Sequence, residues 1–190
     1  MELVIASNNK NKVREIREIL NGKFERIYSL SDLGIKCEAE ETAPDVMGNA
    51  LIKARAIAAF TDKAVLADDS GLTVSSLGGA PGVYSARYAG KHASDEENND
   101  LLLKNLEGEK NREAEFVATV VLLYPSGEYF VGEGCVKGEI LKERKGKGGF
   151  GYDPLFYSYE LKKTFGEATE EEKNGVSHRA RALENLLTKL

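Results

Sequence analysis

Paired cysteines are missing from this chain. The 190 residues hold only Cys37 and Cys135, far apart and outside any CxxC pair. That excludes a disulfide framework and a zinc cluster, and it fits a reducing cytoplasm. Long apolar runs are missing as well. None approaches the ~18 residues of a membrane span, so no membrane partner is expected. The chain starts Met1-Glu2-Leu3-Val4-Ile5 and turns polar at Ser7, so no signal peptide is expected either. There is no internal repeat and no low-complexity linker. An excess of positive charge is absent: 26 Lys and Arg face 31 Asp and Glu, a net charge of -5. This balance argues against nucleic acid as a partner. An acidic chain can still bind an anionic nucleotide through a local basic pocket or a metal. No GxxxxGK[ST] occurs, which excludes a P-loop NTPase. Gly146 to Gly151 fit GxGxxG, but no helix can open at Tyr152-Asp153-Pro154, so the Rossmann context is absent.

Strands and helices alternate along what is present. Leu3 to Ala6 read as a buried strand. Asn11 to Leu20 carry apolar residues at helical spacing, with Asn21-Gly22 as the stop. Phe24 to Leu30 read as a second strand, and residues 45 to 60 as an amphipathic helix with Val46, Ala50, Leu51, Ala54, Ile57 and Ala58 on its stripe. Ala64 to Asp68 and Leu72 to Val74 read as two strands. Residues 95 to 106 read as a helix capped by Ser94. Phe116 to Tyr124 and Tyr129 to Val136 form a hairpin around Pro125-Ser126-Gly127. A last helix covers 178 to 190. The class is α/β, with a mixed sheet flanked by helices in one domain over 1–190.

Gly148-Gly149-Phe150-Gly151-Tyr152-Asp153-Pro154 packs three glycines, two aromatics, a carboxylate and a proline into seven residues. Glycine and proline exclude a helix interior. The segment suits a pocket for a flat polar ring, or a tight turn between strands. Ser7-Asn8-Asn9-Lys10-Asn11-Lys12 leads into the first helix, whose N-terminus favours phosphate. Alternatively Ser7 or Asn9 simply caps that helix. Asp68 and Asp69 stand at a strand end and point to opposite faces, so they divide their tasks. One of them suits Mg²⁺, which takes one or two carboxylates plus phosphate and water. Glu38-Ala39-Glu40-Glu41-Thr42 either favours the following helix electrostatically or adds a second metal carboxylate. Lys53 reaches a phosphate or lies along apolar surface. His178-Arg179 sit in the first turn of the last helix, where a cation opposes the dipole, so helix stability does not explain them.

In this order, these segments resemble the inosine triphosphatase family over nearly the whole chain. The likeness rests on Ser7-x-Asn9-x-x-Lys12, Glu41-Thr42, Asn49-Ala50 with Lys53-Ala54, and Ala67 to Leu72. It continues through Leu77 to Arg87, Gly148 to Pro154 and Ser177-His178-Arg179. The resemblance implies Mg²⁺-dependent hydrolysis of ITP, dITP and XTP to the monophosphate and pyrophosphate, by a homodimer. It implies an elongated α/β molecule, with two lobes around a long mixed sheet and the nucleotide in the cleft between them. By the same resemblance Ser7, Asn8, Asn9, Lys10, Asn11, Lys12, Lys53 and Lys173 hold the triphosphate. Asp69 is the proton acceptor and a metal ligand, with Glu41 the second ligand, and Ser70 touches the substrate. Phe150, Gly151, Tyr152 and Asp153 form the base pocket, with Phe150 or Tyr152 stacking on the ring. His178 and Arg179 read the purine edge, with backbone amides near Phe150 as further donors.

One departure stands out. Family members commonly carry glutamate where this chain has Gly48, which removes a carboxylate and costs ~1 kcal/mol against alanine inside a helix. Two other readings stand beside this one. The first is a Maf-like pyrophosphatase of different base preference, against which the Ser177-His178-Arg179 and Phe150 to Asp153 blocks speak. The second is a nucleotide sensor without catalysis, supported by the glutamate missing at Gly48.

Overall fold

The computed structural model describes residues 1–190. Its strands are β1 (Glu2–Ile5), β2 (Arg26–Ser29), β3 (Ala64–Val74), β4 (Glu113–Leu123), β5 (Tyr129–Ile140), β6 (Phe156–Ser158) and β7 (Lys163–Thr164). They form one mixed sheet in the order β2-β1-β3-β4-β5-β6-β7. β1 runs parallel to β2 and β3, while β6 is antiparallel to β5 and β7. The helices are α1 (Lys10–Ile19), α2 (Val46–Ala58), α3 (Asp95–Asn105), α4 (Glu170–Asn174) and α5 (His178–Leu187). The α/β class and mixed sheet expected from the sequence are present. No helix is long and apolar enough to cross a membrane.

The chain resolves into two compact units. The first holds residues 1–69, 118–134 and 179–190; the second holds 70–117 and 135–178. In the first, the two-residue period of the strands sorts side chains into two cores. Leu3, Ile5, Leu66, Val120 and Leu122 pack with Val13 and Ile16 of α1 and Leu183 and Leu186 of α5. The alternate residues Val4, Ala6, Val65, Ala67, Val121 and Leu123 pack with Ala50, Ala54 and Ile57 of α2. The second unit has one core, in which Leu72, Val74, Leu102, Leu106, Phe116, Phe156 and Phe165 are buried together.

Helix starts follow their capping residues. Asn9 caps α1, Asp45 caps α2, and Ser94 with Glu97 forms a capping box on α3. Three expectations are corrected. β3 is one strand through Asp68-Asp69-Ser70-Gly71, because polar residues in mid-strand break a hydrophobic run without breaking the backbone ladder. The two aspartates therefore stand mid-strand rather than at a strand end. β5 continues to Ile140, and α4, β6 and β7 are additional. Each of these last three spans two to five residues, too few for any periodicity to register.

Gly48 is the third correction. It lies in the first turn of α2, where its N–H donates to Asp45 Oδ1 at 2.7 Å. A Cβ on it would stand 2.6 Å from Ala43 Cβ. Its lack of a side chain lets Ala43 lie against the first turn of α2. Gly48→Ala is expected to lower stability: about 1–3 kcal/mol of overpacking outweighs ~1 kcal/mol of helix propensity. Ala43→Gly in the same chain should restore the loss. Thermal melts of the two variants test this, and a higher melting temperature for Gly48→Ala alone would refute it.

Candidate active site

Parity along β3 dictates the arrangement in the first unit. Asp68 shares the face of Leu66, toward α1 and α5; Asp69 shares the face of Val65 and Ala67, toward α2. Asp68 is buried between Lys12 Nζ at 2.7 Å and Arg179 Nε at 3.1 Å. The guanidinium also donates to Glu15. Asp69 Oδ1 accepts from Lys53 Nζ at 2.8 Å, and Glu41 Oε1 lies 3.1 Å from the same ammonium. The two aspartates meet different partners, as strand geometry requires.

The environment tunes these groups. Burial pushes the Asp68 carboxyl up, but Arg179, Lys12 and Lys53 together hold it well below the usual carboxylate range. Burial pushes Asp69 up, and Lys53 and Lys12 offset this only in part, so its carboxyl is more basic than usual. Burial lowers the Lys12 ammonium, against the pull of Asp68. Lys53 is also lowered by burial, yet Asp69, Asp68 and Glu41 carry it above its ordinary value. The Arg179 guanidinium, depressed by burial, is raised by Asp68 and Glu15. This resolves the cation in the first turn of α5, since buried carboxylates compensate it more than the helix dipole opposes it.

The turn before α1 is occupied largely by its own groups. Asn9 Oδ1 accepts from the Asn11 and Lys12 amides at 3.0 and 3.2 Å, Ser7 Oγ accepts from Asn9 N at 3.1 Å, and Asn8 Nδ2 donates to the Cys37 carbonyl at 3.3 Å. The capping reading of Asn9 is therefore correct. Lys10 is exposed.

In the second unit the glycine segment is a turn held by one carboxylate. Asp153 Oδ2 accepts from Phe150 N at 3.0 Å and from Lys173 Nζ at 2.7 Å. Gly149 has φ +69°, and a Cβ there would meet Asp153 Oδ2 at 2.1 Å, so only glycine fits. Lys173, expected at the triphosphate, lies 4.6 Å from the Phe150 ring centroid as a cation–π contact. Tyr152 is buried, and its hydroxyl donates to the Ser85 carbonyl at 2.6 Å. It is a core residue and not a stacking surface; Phe150, half-buried, is the ring available to stack. The expected amide donors are committed too: Phe150 N to Asp153, and Gly151 N to Asp95 Oδ2 at 2.8 Å. His178 stacks on Phe116 with centroids 4.8 Å apart and planes 12° from parallel. Ser70, half-buried, opens this unit's share of β3.

Sequence reasoning missed Glu15, Asp95 and Phe116. Glu15 carried a signal: a carboxylate one turn before Ile19, at the edge of the apolar stripe of α1, and buried along with Val13 and Ile16. The other two are defined only by long-range contact.

Asp69 and Glu41 fit a divalent cation. They already converge on one positive charge, the Lys53 ammonium, and no third carboxylate, histidine or cysteine joins them. Mg²⁺ needs no more than two, filling its octahedron with water and phosphate. Paired carboxylates, lysines close by and a basic aspartate are the parts of an α/β enzyme that cleaves phosphoanhydrides. The chain belongs to the Ham1 family, whose model matches residues 3–189. It is 47% identical to the dITP/XTP pyrophosphatase of Clostridium perfringens, over 97% of this chain and 95% of that protein. A HAM1 protein from Coxiella burnetii has the same fold, with a TM-score of 0.89, 40% identity and full coverage of both chains. The Ham1 protein of Staphylococcus aureus gives 0.88 and 40% identity, covering 100% of this chain and 97% of that one. The resemblance carried by the ordered motifs is borne out.

Proposed function

We propose that this protein hydrolyses the purine nucleoside triphosphates ITP, dITP and XTP to the monophosphate and pyrophosphate. The observation that carries the reading is the convergence of Asp69 and Glu41 on one cation, with Lys12 on the neighbouring aspartate. Near identity in length and 47% identity in sequence to a dITP/XTP pyrophosphatase support the substrate class.

Asp69 and Glu41 would hold Mg²⁺, which when bound neutralises the charge growing on the phosphate oxygens. Asp69, made basic by burial, takes the proton of the attacking water. The water oxygen bonds to the α-phosphorus, the α–β bond breaks, and its electron pair leaves on pyrophosphate. Lys12 and Lys53 meet that charge, and Lys53 exchanges its carboxylate partners for phosphate. Ser7 to Asn11 border the same region at the N-terminus of α1. On the base side Phe150 stacks on the purine, while Asp153 and Lys173 fix its loop. The His178 ring, aligned by Phe116, donates to a 6-keto oxygen. Adenine carries a donor there, so the pairing fails. Ser70 contacts the substrate. Arg179 is 1% exposed and bound to Glu15 and Asp68, so it acts on Lys12 through Asp68. The working enzyme is a homodimer, which sedimentation tests.

The deciding experiment is pyrophosphate release with Mg²⁺ from ITP, XTP, GTP, ATP and dTTP in parallel. Release from ITP and XTP at least about a hundredfold above ATP is expected, the discrimination that a mispaired polar group provides. Little release from GTP is expected on the separate ground of its 2-amino group, since guanine shares the 6-keto oxygen. Release mainly from dTTP would overturn the base assignment. Binding of ITP without release from any substrate would overturn the enzyme reading.

A further inference from the structure

Glu41 belongs to no helix or strand; residues 36–44 form an irregular segment. A carboxylate on such a segment holds a cation well only if its backbone is pinned. On its C-terminal side the segment is tied to α2 through Asn49. Ala43 N donates to Asn49 Oδ1 at 2.9 Å. Asn49 is fully buried in the first turn of α2. Four residues on, Lys53 extends from the same helix face to Glu41 and Asp69. Gly48 allows the close approach, since any Cβ there would collide with Ala43.

The amide is held at a cost. Ala43 N–H defines which end is oxygen, so the other end is the NH₂, and Nδ2 is buried without a hydrogen-bond partner. An unsatisfied buried donor costs about 1–3 kcal/mol. The neighbouring Ala50 and Ala54 bury a helix face without that cost. An aspartate would present the same acceptor but add a third negative charge beside Glu41 and Asp69. Asparagine supplies a neutral acceptor.

We propose that Asn49 is a positioning residue for the metal-dependent reaction: its carbonyl clamps the segment that aims the Glu41 carboxylate at the cation. The inference rests on the reading of Asp69 and Glu41 as metal ligands. The test is Mn²⁺ affinity of the full chain without nucleotide, by calorimetry, in a double-mutant cycle of Asn49→Ala and Glu41→Gln. Asn49→Ala is expected to weaken Mn²⁺ binding about tenfold in the natural chain, and less than twofold in the Glu41→Gln background. A purely structural role would give equal losses in both. Equal losses, or no loss in either, overturn the clamp. If Glu41→Gln itself leaves Mn²⁺ affinity unchanged, the metal assignment fails and the clamp fails with it. Asn49→Asp covers the case in which the alanine variant does not fold. It keeps the acceptor and adds a charge that acts alike in the natural chain and in the Glu41→Gln background. A change in Mn²⁺ affinity that is equal in the two backgrounds therefore supports the clamp, and a tenfold loss confined to the chain with Glu41 overturns it.

Discussion

Asp69→Asn should abolish turnover and leave nucleotide binding intact. The substitution keeps the shape of the side chain and removes both its charge and its basicity. Loss of a positioned general base alone costs about 10²–10⁴-fold in rate. Loss of a metal ligand adds to this, so kcat for ITP should fall by at least about a thousandfold. Binding should change little, because Lys53 loses its strongest partner and becomes more available to the triphosphate. Single-turnover pyrophosphate release and calorimetric ITP titration separate the two effects. Normal turnover by Asp69→Asn would remove this residue from the chemistry. Loss of binding together with turnover would mean that Asp69 holds the substrate site together and does not act as the base.

Arg179→Met should be the most damaging substitution for stability. The guanidinium lies between Asp68 and Glu15, all three of them buried. Methionine fills much of the same volume but leaves Glu15 and Asp68 buried with one cation fewer, Lys12 alone remaining on Asp68. Breaking a buried ion pair from one side costs about 3–5 kcal/mol, a large share of the ~5–15 kcal/mol of a folded domain. At about 2–4 °C per kcal/mol for a chain of this size, the melting temperature should fall by roughly 6–20 °C. Arg179→Lys should not restore it, since one ammonium cannot serve both carboxylates in place of a planar fork. The pH dependence offers a second readout. Asp68 has a folded pKa below its unfolded value, so its contribution is complete above about pH 4 and is lost as the pH falls further. Arg179→Met removes the largest of the attractions that depress it, so the acid limb of stability should become shallower. If Arg179 only read the purine edge, the melting temperature would hold and base selection alone would change.

Much of this site is legible in the amino-acid order. Period-3.6 stripes and capping residues place α1, α2, α3 and α5, and Asn9, Asp45 and Ser94 stand where helices begin. Strand parity separates Asp68 from Asp69, because adjacent residues of any strand face opposite ways. Glycines and a proline in 148–154 require an irregular turn, and the ordered motifs identify the family. These are local properties, set by covalent geometry and by the period of each element.

What each polar group touches is another matter. Tertiary structure alone decided that Tyr152 reaches the Ser85 carbonyl and joins the core, that Asp153 takes Lys173, and that the amides of Phe150 and Gly151 are already engaged. It also made Arg179 the partner of Glu15 across 164 residues. Gly48 shows the division most plainly. Helix propensity marks it as a defect, while the fold makes it the only residue that clears Ala43. A buried charge or donor must find compensation wherever the packed chain offers it. That partner is selected by distance in space, which spacing along the chain does not encode.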